Sequence, residues 1–267
     1  MNNTVYSRQE YLHKIKKETY LVKAVQLTLT AGLLIMWEFA AYAGIIDRFI
    51  VSSPSRIVKT FIQMAGNDLA THVLYTVGET LTGFILGVLM GFFIAVGLWY
   101  SDFAGKVMAP FLVIANSLPK VALGPVIIVW AGAGTSAIIT MAIAISLIVT
   151  VMELSHGFYS TDSNLLITVK SFGAGKWECF QKIVLPCNIP VLFQSLKVNL
   201  GLSLVGVIAG EFLVSKAGLG YLIVYAGQVF KMDLVMMSVV ILGFIAFVMY
   251  TAITKLEQIV IKMINHI

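Results

Sequence analysis

Residues 121–152 read VALGPVIIVWAGAGTSAIITMAIAISLIVTVM, thirty-two residues without one charged side chain. A transmembrane helix needs about 20 mostly apolar residues, so this run is too long for a single span. The segment Gly132-Ala133-Gly134-Thr135 near its middle is a turn signal. The stretch therefore predicts two consecutive membrane spans, the first ending near Ala131 and the second beginning near Ser136.

The composition of the whole chain also indicates a lipid environment. Hydrophobic residues make up 59% of the 267 residues, charged residues 12%, and the mean hydropathy is +0.92. A soluble domain carries roughly 25% charged residues, so much of this surface is expected to face lipid. The basic residues form no patch interleaved with aromatics, which argues against nucleic acid as a partner. Cys179 and Cys187 form neither a disulfide framework nor a cluster with metal-ligand spacing.

Outward from the opening stretch, the sequence predicts an all-α, polytopic membrane helical bundle with about six transmembrane helices. A polar cytoplasmic tail is expected over residues 1–23 and the transmembrane domain over 24–267. The tail is interpreted as retained rather than as a signal peptide, because no small-x-small cleavage site follows it. Glycines at every fourth position of the second span indicate close helix packing. The expected spans are 24–46, 74–101, 107–131, 136–158, 189–214 and 233–256, and the glycines are Gly83, Gly87 and Gly91.

Lysine and arginine counts predict the orientation of the spans. With the N-terminus inside, cytoplasmic segments hold twelve of these residues, external segments hold five, and Lys120 lies within a span. Cytoplasmic loops carry the excess of Lys and Arg in membrane proteins. Both termini and the loop 160–186 are therefore expected in the cytoplasm.

The loop 160–186, between the fourth and fifth spans, has a helical pattern. Asp162 or Ser163 can cap a helix start. Apolar residues then recur at steps of three and four, which predicts one amphipathic helix at the membrane surface. From periodicity alone, a simple interfacial helix and a helix that docks a partner both remain open. The apolar positions are Leu166, Val169, Gly173, Trp177, Phe180 and Val184.

Several stretches resemble the permease subunits of binding-protein-dependent ABC importers. The cytoplasmic coupling loop of that family has Glu-Ala-Ala, three residues, Gly, nine residues, and Ile-x-Leu-Pro. This chain has Gly173, Ile183, Leu185 and Pro186 at those spacings, with Ile-Thr-Val at 167–169 in place of Glu-Ala-Ala. Three further segments are similar to the sulfonate, taurine and nitrate-type permeases, so that the resemblance covers nearly the whole chain. They are SSPSRIV at 52–58, LPKVALGPVIIVWAG at 118–132 and GEFLVSKAGLGYL at 210–222.

The resemblance implies a multi-pass permease of the bacterial plasma membrane that imports a small solute, such as a sulfonate-like anion or a vitamin-like heterocycle. The implied partners are a cytoplasmic ABC ATPase dimer, an extracytoplasmic substrate-binding protein, a second permease copy and membrane lipid. The implied ATPase-coupling residues are Lys170, Phe172, Gly173, Ala174, Trp177, Ile183, Leu185 and Pro186.

The chain is not expected to bind ATP or any other cofactor, nor to be an enzyme. A P-loop requires Gly-x-x-x-x-Gly-Lys-Ser/Thr, so that backbone amides hold the phosphates. Here Gly175-Lys176 is followed by Trp177, and Lys170 stands in place of the first glycine. The sequence also shows no catalytic residues, since it has no nucleophile elbow or paired carboxylates, and no metal site. ATP and magnesium are expected in the partner ATPase.

The third expected span contains helix-breaking and charged residues. Lys120 lies between Pro119 and Pro125. A lysine at the centre of a membrane helix costs roughly 2.5–3.5 kcal/mol on insertion scales. Broken, charged segments are tolerated only where they face protein or a water-filled path. The candidate translocation-pathway residues are Asn116, Ser117, Pro119, Lys120, Pro125 and Glu211. Lys120 either attracts an anionic solute or serves a structural role, paired with a carboxylate or reaching an aqueous surface.

Two other functions are weighed against import. An ion-coupled secondary transporter predicts inverted repeats with acidic residues in matched halves, and neither is found in the sequence. A membrane scaffold or sensor leaves the Gly-x9-Ile-x-Leu-Pro spacing and the broken third span unexplained.

Overall fold

The computed structural model describes residues 8–264, and every regular element within that range is helical. Besides the α-helices, the chain has a short 3-10 turn, Lys120–Leu123, and a π-helical turn, Phe180–Val184. The helices are α1 (Arg8–Tyr42), α2 (Arg48–Val51), α3 (Pro54–Ala65), α4 (Leu69–Tyr100), α5 (Asp102–Ser117), α6 (Gly124–Ala131), α7 (Thr135–Tyr159), α8 (Ser163–Ser171), α9 (Lys176–Cys179), α10 (Leu185–Cys187), α11 (Ile189–Val214), α12 (Leu219–Gln228) and α13 (Met232–Ile264).

The predicted polytopic helical bundle is confirmed. In the described range, five helices are long and apolar enough to cross a membrane, and α5 with the 3-10 turn and α6 makes a sixth, bent by 85°. The helix α11 has the bounds expected for the fifth span, whereas α4 and α13 extend beyond theirs. The helix α1 runs past the expected tail boundary at residue 23 without a break and ends at Tyr42.

The core of the bundle is α7, packed between α4 and α11. The glycine stripe of α4 lies on α7, where a Cβ added at Gly83 would stand 2.5 Å from the Ala142 Cβ. From the other side, a Cβ at Gly206 of α11 would stand 2.7 Å from the Ala142 Cα. Helix association in lipid depends on such close packing, because the lipid tails are as apolar as the side chains. The predicted glycine packing therefore occurs within one chain.

The elements at the end of the bundle opposite the loop 160–186 are joined by polar contacts. Asp233, at the start of α13, forms an ion pair with Arg56 of α3 at 2.8 Å and accepts a hydrogen bond from the Ser52 hydroxyl at 2.7 Å. The Glu38 carboxylate of α1 accepts hydrogen bonds from the Ser55 amide and hydroxyl at 2.9 and 2.8 Å. Glu38, a charged residue within the first expected span, therefore connects α1 to α3 by these two hydrogen bonds.

Candidate functional site

The segment between α7 and α11 is two helical pieces with a turn between them. The first piece, α8, begins where the Asp162 carboxylate accepts the Asn164 amide at 2.8 Å, which confirms the predicted cap. The prediction of one continuous amphipathic helix is wrong. The helix ends at Ser171, and Gly173 takes a φ of +86°. Residues other than glycine rarely adopt that left-handed conformation, so the chain turns there.

The turn carries an exposed apolar surface. Phe172 is 87% exposed, and apart from the two adjoining residues no described residue has a heavy atom within 4 Å of a Cβ added at Gly173. An exposed apolar side chain on a short helix or at its end can serve as an anchor for a partner protein. We name the four exposed side chains of this segment the loop patch: Leu165, Ile167, Phe172 and Trp177.

The second piece, from α9 to α10, is anchored in the bundle. Phe180 is 2% exposed and Val184 is fully buried. The Phe180 ring lies 5.2 Å from the Trp99 ring of α4 and 5.4 Å from the Phe158 ring of α7, centroid to centroid. Among the other predicted coupling residues, Ala174, Ile183 and Leu185 are half-buried, whereas Lys170 and Pro186 are exposed. The predicted coupling residues therefore divide between an exposed tip and an anchored base.

The third span breaks where its prolines and lysine predicted. The helix α5 ends at Ser117, and the Lys120 ammonium donates to the Asn116 carbonyl oxygen at 3.2 Å and to its side-chain Oδ1 at 3.0 Å. Within the described range, no carboxylate lies at ion-pair distance from Lys120. The Lys120 ammonium therefore hydrogen-bonds a backbone carbonyl at the break, where the regular helical hydrogen bonds stop.

A cavity of about 630 Å³ adjoins the break. Its lining is apolar and comes from the broken span, α11 and the middle of α13. Irregular backbone at membrane depth is found only where it is buried in protein or lines a water-filled space. Pro125 is among the residues that line the cavity, whereas Glu211 is not. The lining includes Val121, Ala122, Pro125, Leu204, Ile208 and Phe212.

Glu211 is buried inside the bundle and is not among the residues that line this cavity. Its side chain is 1% exposed and accepts hydrogen bonds from the Thr76 hydroxyl at 2.6 Å and from the Gly220 amide at 2.5 Å. Thr76 in turn accepts the Leu219 amide at 2.8 Å, and His72 Nδ1 accepts the Gly218 amide at 3.0 Å. The first amides of a helix lack partners within it, so these side chains satisfy the start of α12.

The α4 residues that bind Glu211 and the start of α12 were not identified from the sequence. His72, Thr76 and Glu79 follow one another at four- and three-residue steps, so they share one face of α4. Glu79 is 5% exposed, and its Oε2 has no hydrogen-bond partner among the residues that the structure describes. The available signal was this polar line in an otherwise apolar helix.

Comparison with known proteins identifies the family. Residues 83–264 match the family described as binding-protein-dependent transport system inner membrane component. The chain belongs to this family. The match includes the loop patch, the broken span and the whole α4–α7–α11 core except the first turns of α4. The chain is therefore a transport subunit and not an enzyme, and it is a multi-pass component of the inner membrane.

Relatives and a solved structure agree with this assignment. The riboflavin transport system permease protein of Chloroflexus aurantiacus is 27% identical, over 86% of this chain and 86% of the relative. The taurine transport system permease protein of Escherichia coli is 23% identical, over 93% and 94%. The inward-facing MetNI methionine ABC transporter has the same fold, with a TM-score of 0.65 at 17% identity over 72% of this chain and 95% of that one.

The family and these relatives confirm the predicted function at this level. The chain is the permease subunit of an ABC importer and translocates a small solute, with ATP hydrolysis in a separate subunit. A secondary transporter and a scaffold without transport are not members of such a family.

Proposed function

We propose that the loop patch docks the ATPase and that the broken third span lines the pathway of the solute. Two copies of this chain form the pathway, with two ATPase subunits on the cytoplasmic side and a binding protein on the other. Both termini and the loop then lie in the cytoplasm, as the Lys and Arg distribution favours. The proposed solute is a sulfonate-like anion or a vitamin-like heterocycle, in line with what the relatives' names state for them.

The observation that carries the docking proposal is the exposed tip of the loop. Phe172 projects at the turn with 87% of its surface exposed, beside a glycine in the left-handed region. A short helix with apolar anchors can seat in a groove of a partner protein. The tip lies at the end of the bundle where the proposed orientation places the cytoplasm, so a soluble ATPase can reach it.

Gly173→Asp is expected to release the ATPase and to abolish uptake. An L-residue in the left-handed region costs about 1–2 kcal/mol, and the aspartate adds a charge beside the apolar patch. Since 1.4 kcal/mol is a tenfold change in affinity, docking should weaken by roughly tenfold or more. The measurement is ATPase retained on the purified permease, together with solute uptake.

Two variants separate the causes of that loss. Gly173→Ala tests the backbone strain without the charge and should weaken docking less. Gly66→Asp adds the same charge at an open glycine at the opposite end of the bundle, where φ is −82°, and should retain the ATPase. Normal retention and uptake in Gly173→Asp would contradict the docking proposal.

The pathway proposal concerns Asn116, Ser117, Pro119, Lys120 and Pro125. These residues form the break, and the cavity of about 630 Å³ adjoins it between the third span and α11. Glu211 is proposed to serve the pathway indirectly, because it fixes the start of α12 beside the end of α11. The arrangement supports a path that passes the bend of the third span.

Lys120→Met is expected to lower uptake while the assembled complex persists. The substitution keeps the side-chain length but removes the donor that serves the Asn116 carbonyl. It also removes the positive charge at the bend, so uptake of an anionic solute should fall by roughly fivefold, which corresponds to about 1 kcal/mol. The measurement is uptake in proteoliposomes at a matched amount of complex. Lys120→Arg keeps a cation and should retain most of the activity, and unchanged uptake in Lys120→Met would remove Lys120 from the pathway.

A further inference from the structure

We propose that Trp99, Phe158 and Phe180 are positioning residues that make the base of the loop and the adjoining ends of α4 and α7 move as one body. The inference rests on the proposed docking of the ATPase at the loop patch. It adds the route by which a movement of the loop reaches the spans. The three rings are buried at the base of the loop, so they act through the helices that they join.

The three rings come from three separate elements and form one packed cluster. Their side chains are 7%, 1% and 2% exposed, in the order Trp99, Phe158 and Phe180. Phe158 and Phe180 meet edge to face, with an interplanar angle of 88°. Edge-to-face pairs add specific geometry to the area that they bury. The Phe180 ring also stacks on the ring of Trp177 in the loop patch at 5.5 Å. Close-packed interiors transmit strain rather than absorb it, so a displacement of Phe180 displaces Trp99 and Phe158 as well.

The π-helical turn is irregular, so it could bend when the loop moves and keep that movement from reaching the spans. It runs from Phe180 to Val184, and π-helical turns are often found at functional sites. Both of its ends belong to the same buried cluster as Trp99 and Phe158. The turn is therefore held at its first and last residues.

Two further contacts reach the start of the broken span. The Tyr159 hydroxyl at the end of α7 donates to the Leu98 carbonyl of α4 at 2.7 Å. Lys176 of α9 pairs with Asp102 at 3.2 Å, and Asp102 is the first residue of α5. Only Ser101 separates α4 from α5. A movement of the loop base thus arrives at the helix that leads to the proposed pathway.

The experiment compares ring deletions in the complete transporter, reconstituted with its ATPase and binding protein in proteoliposomes. The readouts are ATPase retained, ATP hydrolysed, and solute transported per ATP. For Phe180→Leu and Trp99→Leu, we expect the ATPase to stay bound and hydrolysis to continue. Transport per ATP should fall by roughly fivefold or more, the lower range of coupling between sites.

Two further variants test whether the rings act as a unit. The double variant Trp99→Leu/Phe180→Leu should be no worse than the poorer single variant, because each substitution breaks the same contact. Trp99→Phe keeps an aromatic ring and should restore most of the transport per ATP. If the leucine variants do not assemble, Phe180→Met tests the proposal, because it keeps most of the volume and removes the ring. Transport per ATP should fall in an assembled Phe180→Met, and wild-type coupling there would contradict the proposal.

Phe193→Leu is the matched control. Phe193 is 8% exposed in α11 and packs with Leu200 and Ile253, in a cluster that shares no residue with the cluster of the three rings. It should lower the melting temperature as Phe180→Leu does, without changing transport per ATP. An equal loss of coupling in both variants, normal coupling in Phe180→Leu, or loss of the ATPase from Phe180→Leu would each overturn the proposal. Failure of the wild-type permease to retain the ATPase would instead refute the docking proposal.

Discussion

Gly206→Leu is expected to prevent assembly of the α4–α7–α11 core. A Cβ at this position would stand 2.7 Å from the Ala142 Cα and 3.1 Å from its amide nitrogen. These are backbone atoms of the central helix, so no side chain can rotate away to make room. Overpacking typically lowers the free energy of unfolding by about 1–3 kcal/mol when side chains can adjust. Here the loss should be larger, because a leucine at position 206 requires α7 and α11 to move apart. Total stabilities are only about 5–15 kcal/mol, so little folded protein should remain.

The measurement for this prediction is the yield of monodisperse permease in detergent and its melting temperature. Gly201→Leu is the control on the same helix, because outside the backbone of α11 itself no described residue has a heavy atom within 4 Å of a Cβ added at Gly201. That variant should fold normally. A wild-type yield from Gly206→Leu would mean that α7 and α11 do not approach as described.

Glu211→Leu is expected to destabilise the protein by several kcal/mol. The Gly220 amide and the Thr76 hydroxyl would both lose their acceptor in a site that is 1% exposed. Each buried donor left without a partner costs about 1–3 kcal/mol. The start of α12 should therefore loosen, and the purified permease should melt at a markedly lower temperature.

Glu211→Gln is the informative comparison, since it keeps one oxygen acceptor in the same volume. Its loss should be clearly smaller than that of Glu211→Leu. Equal melting temperatures for wild type and Glu211→Leu would contradict the assignment of Glu211 as the residue that satisfies α12.

The membrane fold could be predicted from sequence because apolar runs and glycine spacing are local signals. The charge-free stretch 121–152 implied two spans with a turn between them, and the turn and the following helix α7 lie there. The stripe of Gly83, Gly87 and Gly91 implied close packing, and α7 lies against it. The break of the third span followed from the placement of Pro119 and Lys120.

The loop and the Glu211 arrangement depend on contacts that periodicity does not contain. The apolar stripe of the loop is compatible with one helix, but the left-handed conformation of Gly173 divides it. Phe180 and Val184 are buried because they pack in one cluster with Trp99 and Phe158. Glu211 was proposed as a pathway residue because it is acidic within a span. Its partner Thr76 lies on α4, 135 positions earlier in the chain, and becomes a neighbour only through the fold.

The loop patch also bears on how the cell handles this protein before assembly. Until a partner covers them, Ile167, Phe172 and Trp177 are exposed on what we propose is the cytoplasmic side. Exposed apolar surface of this kind is a liability for aggregation and a feature by which chaperones and proteases select their clients. Newly made permease that lacks its ATPase should therefore turn over faster than the assembled complex. The steady-state amount of this chain would then follow the supply of its partner.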